Sequence, residues 1–273
     1  MDHRRYRELA PERLPVALRG MVECAWRAGV PDRDPGHTQR VLPDGCMDLL
    51  LVDDETLVAG PDTAAHLAAR RPGSSVTGLR FRPGHLPVLL GVPADGLRDR
   101  RVALAELSPR TRRVLEHLPR PDASVPAGTH PSPGRVDLAL LVHLAGRLLA
   151  DPDPRPSAVA RPPLPGRALD LLRRGGTASA AADELGCTTR TLHRHCLDTL
   201  GYGPATVRRV LRFRTATDLL HAGVAPAEVA ARAGYSDQPH LSREVRALAG
   251  VSPGALTPPR RPPSAKSGHS TVR

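Results

Sequence analysis

Residues 186–204 are written a second time as residues 234–253, and this repeat limits what the chain can fold into more tightly than any other feature. Gly186-Cys187-Thr188 is followed by Leu192, Arg194, Cys196, Gly201 and Pro204; Gly234-Tyr235-Ser236 is followed by Leu241, Arg243, Val245, Gly250 and Pro253. The opening glycines and the two residues after each lie 48 residues apart, and the pairs from Leu192 and Leu241 onward lie 49 apart. One residue has therefore been inserted in the second copy, and the alignment puts it near Pro239. A unit repeated inside one domain implies one act of recognition performed twice.

Each copy reads as two short helices joined by a glycine turn. Residues 179–185 are alanine-rich, which costs little in a helix and lets a second helix approach closely. Gly186 supplies a turn that a side chain would obstruct, and Cys187 is a small apolar plug beneath it. Thr188 or Thr189 can cap the next helix, whose Leu192 and Cys196 share a face opposite Arg190, His193 and Arg194. In the second copy Val229, Ala230 and Ala233 form the packing stripe, and Ser236 or Asp237 can cap a helix with Pro239 in its first turn. Leu241, Val245 and Leu248 then face inward, leaving Gln238, His240, Arg243 and Arg246 outside. Ala182 and Ala230, each four residues before its glycine, provide the close crossing a helix-turn-helix needs. One isolated copy reads equally well as a plain helical hairpin. Two copies are joined, however, by an amphipathic run over residues 205–221, where Val207, Val210, Leu211, Ala216, Leu219 and Leu220 recur at helical spacing and Arg208, Arg209, Arg212 and Arg214 take other positions.

Residues 164–257 resemble the DNA-binding domain of AraC/XylS-type transcription regulators, in which two helix-turn-helix units are bridged by a long helix. The most diagnostic stretch is Gly234-Tyr235-Ser236-Asp237-Gln238-Pro239-His240-Leu241-Ser242-Arg243-Glu244-Val245, closed by Gly250-Val251-Ser252-Pro253. His240, Leu241 and Val245 stand where that family often has aromatic residues, and Thr257 where an arginine often follows. The resemblance implies that the second helix of each unit enters a major groove of double-stranded DNA, the two insertions about one helical turn apart. On that basis Thr189, Arg190, His193 and Arg194 are the expected readers in the first unit, and Ser236, Asp237, Gln238, His240 and Arg243 in the second. It also implies RNA polymerase as a partner of an activator, and leaves a small-molecule effector and homodimerisation open.

Charge and aromatic content fit the same partner. The formal net charge is +11; residues 166–257 hold 12 Arg against 8 acids, and residues 258–273 hold 3 Arg and 1 Lys against none. Such a balance suits a polyanion, although arginine is abundant throughout the chain. Readers of RNA and single strands stack bases on aromatic side chains, and this chain has two Phe, three Tyr and one Trp, without a cluster.

The expected fold class is α+β: an N-terminal, mostly β and possibly cupin-like domain (residues 1–150) with trailing helices, a Pro-rich linker (151–163), an all-α double helix-turn-helix domain (164–257) and a basic, disordered tail (258–273). Short apolar or alternating runs at 21–26, 39–42, 47–52, 56–59 and 76–81 predict strands, and 86–90 and 109–117 predict helices. The apolar run 136–149 is too short to cross a membrane and is interrupted by His143 and Arg147. The first residues do not read as a secretory signal, so a cytoplasmic location is expected. The phrases around Asp44-Gly45-Cys46-Met47-Asp48, Gly60-Pro61 and Gly78-Leu79-Arg80-Phe81-Arg82 resemble an uncharacterised N-terminal domain found on some AraC-type regulators.

Catalysis has few candidates. No His-x-His occurs, and Cys24, Cys46, Cys187 and Cys196 lack paired metal spacing, so no metal or cofactor is called for and the cysteines read as small buried residues. The alternative to a non-enzymatic regulator is a DNA-modifying or alkylation-repair protein with a cysteine acceptor fused to the same reader. Cys46 would be its nucleophile, yet flanking Asp44 and Asp48 would raise that thiol's pKa. Asp44, Asp48, Arg80 and Arg82 allow two readings, a ligand cavity or a turn followed by the solvent face of a strand, and the second is the simpler.

Overall fold

Period-two alternation in the N-terminal half builds a sheet with two unlike faces. In the computed structural model, which describes residues 6–10, 12, 14–31, 36–118, 133–151 and 161–257, eight strands form: β1 (Tyr6–Leu9), β2 (Val22–Gly29), β3 (His37–Val41), β4 (Met47–Val52), β5 (Glu55–Ala59), β6 (His66–Arg70), β7 (Ser75–Phe81) and β8 (Arg101–Ala103). Six pair antiparallel in the order β1-β2-β7-β4-β5-β8, while β3 and β6 form a separate two-stranded ribbon. Along β4, Met47, Leu49 and Leu51 are buried and alternate with half-buried Asp48, Leu50 and Val52. The first set joins Leu79 and Phe81 of β7 in the main core of this half. The second set faces the ribbon across a cavity. Gly78 belongs to the cavity face for a steric reason: a Cβ there would stand 2.5 Å from the Trp26 indole, which lies across it.

Helices α1 (Val16–Arg19), α2 (His85–Leu90), α3 (Leu104–Leu107), α4 (Pro109–Glu116) and α5 (Pro133–Ala150) complete the half. Leu141, Leu144, Ala145 and Leu148 of α5 are buried in the same core as the sheet's inner face. Arg110 of α4 is buried yet satisfied, donating to the carbonyls of Leu89, Leu148 and Asp151 at the C-terminal ends of α2 and α5. A cation there meets the negative end of both helix dipoles.

The C-terminal half is all helical: α6 (Gly166–Arg173), α7 (Ala178–Glu184), α8 (Thr189–Leu200), α9 (Pro204–His221), α10 (Pro226–Arg232), α11 (Gln238–Ala249) and α12 (Pro253–Leu256). α9 is shared by two cores. Its N-terminal Val207, Val210 and Leu211 pack with Ala182, Leu192 and Cys196, and its C-terminal Phe213, Ala216 and Leu220 pack with Val229, Leu241 and Val245.

The α+β class with a β-rich first half and a double helical second half is thus observed, and every expected strand is present within a few residues. β1, β6 and β8 were not anticipated. Residues 152–160 of the expected linker and the tail 258–273 lie outside the described residues. Among the described residues no helix is long and apolar enough to cross a membrane.

Candidate nucleic-acid interface

The repeat in sequence is a repeat in hydrogen bonding. Cys187 N–H donates to Ala182 O (3.0 Å) and Tyr235 N–H to Ala230 O (2.8 Å), so each support helix closes through the same backward turn around a left-handed glycine, Gly186 (φ +59°) or Gly234 (φ +76°). The recognition helix is then capped by a side chain: Thr188 accepts from Thr191 N, and Asp237 from His240 N. Gly201 and Gly250, both left-handed, end α8 and α11, and a proline opens the next helix in each case. Tyr235 thus matches Cys187 at an offset of 48, and Asp237 matches Thr188 at 49. The extra residue is Ser236, in the turn before the cap, and not a residue near Pro239.

Most of the expected readers are presented together. Thr189, Arg190, His193 and Arg194 are exposed on α8; Ser236, Asp237, Gln238 and Arg243 are exposed at or on α11. The opposite faces, Leu192 with Cys196 and Leu241 with Val245, are buried. His240 departs from the expected outward position: half-buried, its ring meets Tyr235 edge-on with centroids 5.2 Å apart, and its Nδ1 lies 3.1 Å from Ser236 Oγ. The inserted Ser236 and His240 therefore engage each other, while the Asp237 carboxylate is committed to the cap at 2.6 Å.

Comparison with known proteins follows these halves. Residues 181–257 match the model of a helix-turn-helix domain. That segment is an AraC-type helix-turn-helix domain. Residues 9–103 match a domain of unknown function, DUF6597. No curated protein matches the chain. Among solved structures, the C-terminal domain of AraT, a response regulator from Geobacillus stearothermophilus, is 24% identical with a TM-score of 0.33, over 42% of this chain and 97% of that one. ToxT from Vibrio cholerae is 8% identical with a TM-score of 0.42, over 92% of this chain and 97% of that one. The helix-turn-helix match makes the chain a DNA-binding transcription regulator in its coarse function.

Within the helix-turn-helix domain, the arginines of α9 have partners that periodicity alone could not name. Arg209 Nε donates to Glu244 of α11 at 2.8 Å, and Arg212 stands 3.9 Å from the same carboxylate with its guanidinium 4.3 Å above the Tyr235 ring. These two brace the second reader from behind and do not face outward as readers. Arg214 turns to the N-terminal half and forms an ion pair with Glu23 of β2, while its Nη1 also donates to Cys46 Sγ at 3.3 Å. Burial works to raise the Glu23 pKa, but the hydrogen bond and charge of Arg214 outweigh it and leave the carboxyl below its ordinary range.

That contact lies on a cavity of about 520 Å³ between the six-stranded sheet and the ribbon, with α9 along one side. Its walls are Trp26, Leu50, Val52, Leu57 and Val76 together with charged pairs. Arg80 lies 3.4 Å from both Asp44 and Asp48, and Trp26 Nε1 donates to Asp48 at 2.7 Å. Arg80 therefore faces the cavity, against the simpler reading of a solvent-facing strand; Arg82 is exposed as that reading expects. Alternation had placed Arg80 and Arg82 on one face, and the turn at Pro83-Gly84 that follows β7 releases Arg82 from it.

Three of the four cysteines are closed to solvent. Cys24, Cys46 and Cys196 are buried, whereas Cys187 is half-buried in its turn, a small departure from the expectation that all four are buried. Burial and then Asp44 push the Cys46 thiol well above its ordinary value despite Arg214, and burial with the charge of Glu8 pushes Cys24 up to about 12. Neither thiol is set up as a nucleophile. No group of His, Cys, Asp or Glu among the described residues has the geometry to hold a metal ion.

Proposed function

We propose that the chain is a sequence-specific regulator that reads double-stranded DNA with α8 and α11 in successive major grooves on one face of the duplex, and that its N-terminal half senses a small-molecule effector through the cavity against α9. The observation that carries this reading is the doubled presentation: two helices with equivalent caps and turns, each burying one face and exposing arginine on the other. Arginine forks suit guanine edges and Gln238 suits adenine. We divide the chain accordingly into residues 1–150 for sensing or dimerisation, 151–163 as linker, 164–257 as reader and 258–273 as a basic tail. RNA polymerase is the further partner if the chain activates, and no catalytic step is assigned. Selection of bound sequences from random duplex DNA with the full chain tests the reading. Two different specified segments, with centres about ten base pairs apart, are expected. A symmetric doubling of that pair reports dimerisation; a pool without enrichment overturns the proposal.

A further inference from the structure

We infer, resting on the regulator reading above, that residues 61–65 are a strap of fixed length between the two recognition helices, and that they and Arg40 set the spacing of the two DNA segments the chain accepts. Five consecutive residues touch the C-terminal ends of both readers. Pro61 lies against Gly201 at the end of α8, where an added Cβ would stand 2.6 Å from the proline Cγ. Ala65 N–H, four residues on, donates to Leu248 O at the end of α11 at 2.7 Å. The next carbonyl of α11, that of Ala249, accepts from Arg40 Nη1 at 2.6 Å, and Gly201 O accepts from Arg98 Nη1 at 3.4 Å. Leu248 and Ala249 belong to a last helical turn, which has no donors of its own for their carbonyls. The N-terminal half supplies those donors, so each reader is held by its end while Arg194 and Arg243 stay exposed on its open face.

The strap has little slack. From Pro61 to Ala65 the chain reaches about 13 Å at full extension, and most of the segment is tied down. Asp62 accepts from both terminal nitrogens of Arg101 at 2.5 and 2.7 Å. Thr63 donates through its N–H and its Oγ1 to the two carboxylate oxygens of Asp99 at 2.6 and 2.8 Å, and Asp99 N–H returns to Pro61 O at 3.1 Å. Asp99 is therefore a positioning residue, acting on the readers through the strap. The other connection is α9, an 18-residue helix that sets how far apart the two units stand. A single rod leaves them free to turn about the joints at its ends, residues 201–203 and 222–225. A second strut between the same two bodies stops that turn. One base pair more or less between two sites on a duplex moves one of them by about 3.4 Å and rotates it by about 35°, a change that only units free to turn can follow.

The test uses the full chain and the duplex it selects, in three forms: the selected spacing, and one base pair added or removed between the two specified segments. The parent chain is expected to bind the altered forms about tenfold more weakly or worse. Two variants loosen the connection at different points. Asp99→Gly removes both bonds to Thr63 and keeps the left-handed backbone (φ +58°), which glycine adopts without strain. Arg40→Ala leaves the strap whole and frees Ala249 O. Each is titrated well below its own thermal midpoint, and Thr63→Ala, which drops one of the two bonds to Asp99, replaces Asp99→Gly if that chain does not fold. Both variants are expected to bind the selected spacing within about threefold of the parent and to narrow the penalty for altered spacing to about threefold. A parent indifferent to spacing overturns the inference, as does a variant whose affinity for all three duplexes falls by one common factor. A full penalty in Asp99→Gly overturns the strap, and a full penalty in Arg40→Ala removes Arg40 from it. Failure to select any duplex is a different result: it overturns the regulator reading, and the inference falls with it.

Discussion

The two helix-turn-helix units agree in what they present and differ in what holds them. Turns, caps and terminal glycines correspond bond for bond, yet the first unit ends pressed against the N-terminal half at Gly201, and the second is braced by Arg209, Arg212 and Glu244 and gripped by Arg40. Presentation is set by short-range chemistry and was copied with the repeat. Support comes from whatever each copy packs against and has diverged. Equivalent substitutions in the two units should therefore have unequal consequences wherever they touch support, and similar ones where they touch presentation.

The largest contrast is expected at the terminal glycines. An alanine at either position pays about 1–2 kcal/mol for the left-handed backbone. At Gly201 its Cβ would also stand 2.6 Å from Pro61 Cγ and 3.0 Å from Ala94 O, whereas at Gly250 it meets only Arg40 Nη1, the end of a flexible side chain, at 3.1 Å. Overpacking adds about 1–3 kcal/mol, so Gly201→Ala should lose about 2–5 kcal/mol in urea unfolding and Gly250→Ala about half that or less. Equal losses would remove the claim that the first unit is the more tightly enclosed.

The presented faces supply the opposite expectation. Arg194 and Arg243 occupy matching, exposed positions on α8 and α11. Each alanine variant should weaken specific binding by about 1–3 kcal/mol and relax sequence preference in its own segment. Gel-shift titration against the selected duplex and a scrambled one measures both. A variant that binds as tightly and selectively as the parent removes its helix from the interface.

Presentation was legible in the sequence because its signals are local: glycines, capping hydroxyls and carboxylates, and apolar residues four apart. Two points were misread: His240, expected outward, packs on Tyr235 and Ser236, and the inserted residue was assigned near Pro239 because residue types align before caps do, so that Asp237 had to be seen accepting from His240 N before Ser236 stood out. Support was not legible. Helical spacing shows that Arg209, Arg212 and Arg214 lie off the packing stripe, but not that two of them face Glu244 and the third Glu23. The ribbon was half missed, since β6 reads His-Leu-Ala-Ala-Arg, a poor strand by propensity that exists through pairing with β3 far away in sequence. Without β6 there is no second wall, and the cavity is invisible.

Removing the brace of the second unit should cost less than overpacking the first. Glu244 accepts from Arg209 and faces Arg212 with 19% of its side chain exposed, so Glu244→Ala should lose about 1.5–3 kcal/mol as a charged hydrogen bond disappears. Amide exchange locates the effect: protection should fall in α10 and α11 and hold in α7 and α8. A uniform fall would mean that α9 couples both units into one cooperative body, and the contrast in support would then have no energetic content.

The smallest stability effect is expected at a cap, and it separates two roles of one residue. Asp237 closes the N-terminus of α11 through Oδ1 and is also an expected reader, since its second carboxylate oxygen can accept from a cytosine amine. Asparagine caps about as well as aspartate, so Asp237→Asn should change stability by no more than about 0.5 kcal/mol. On the proposed docking it also removes a negative charge beside the phosphates, so binding to unrelated duplexes should tighten slightly at low salt. If Asp237 reads a base, one position of the segment under α11 loses its preference in a repeated selection. Unchanged preference with unchanged stability would reduce Asp237 to a cap, equivalent to Thr188 in role as well as in place. The second unit would then read with Gln238 and Arg243, as the first is proposed to read with Arg190 and Arg194, and the contrast between the units would lie wholly in their support.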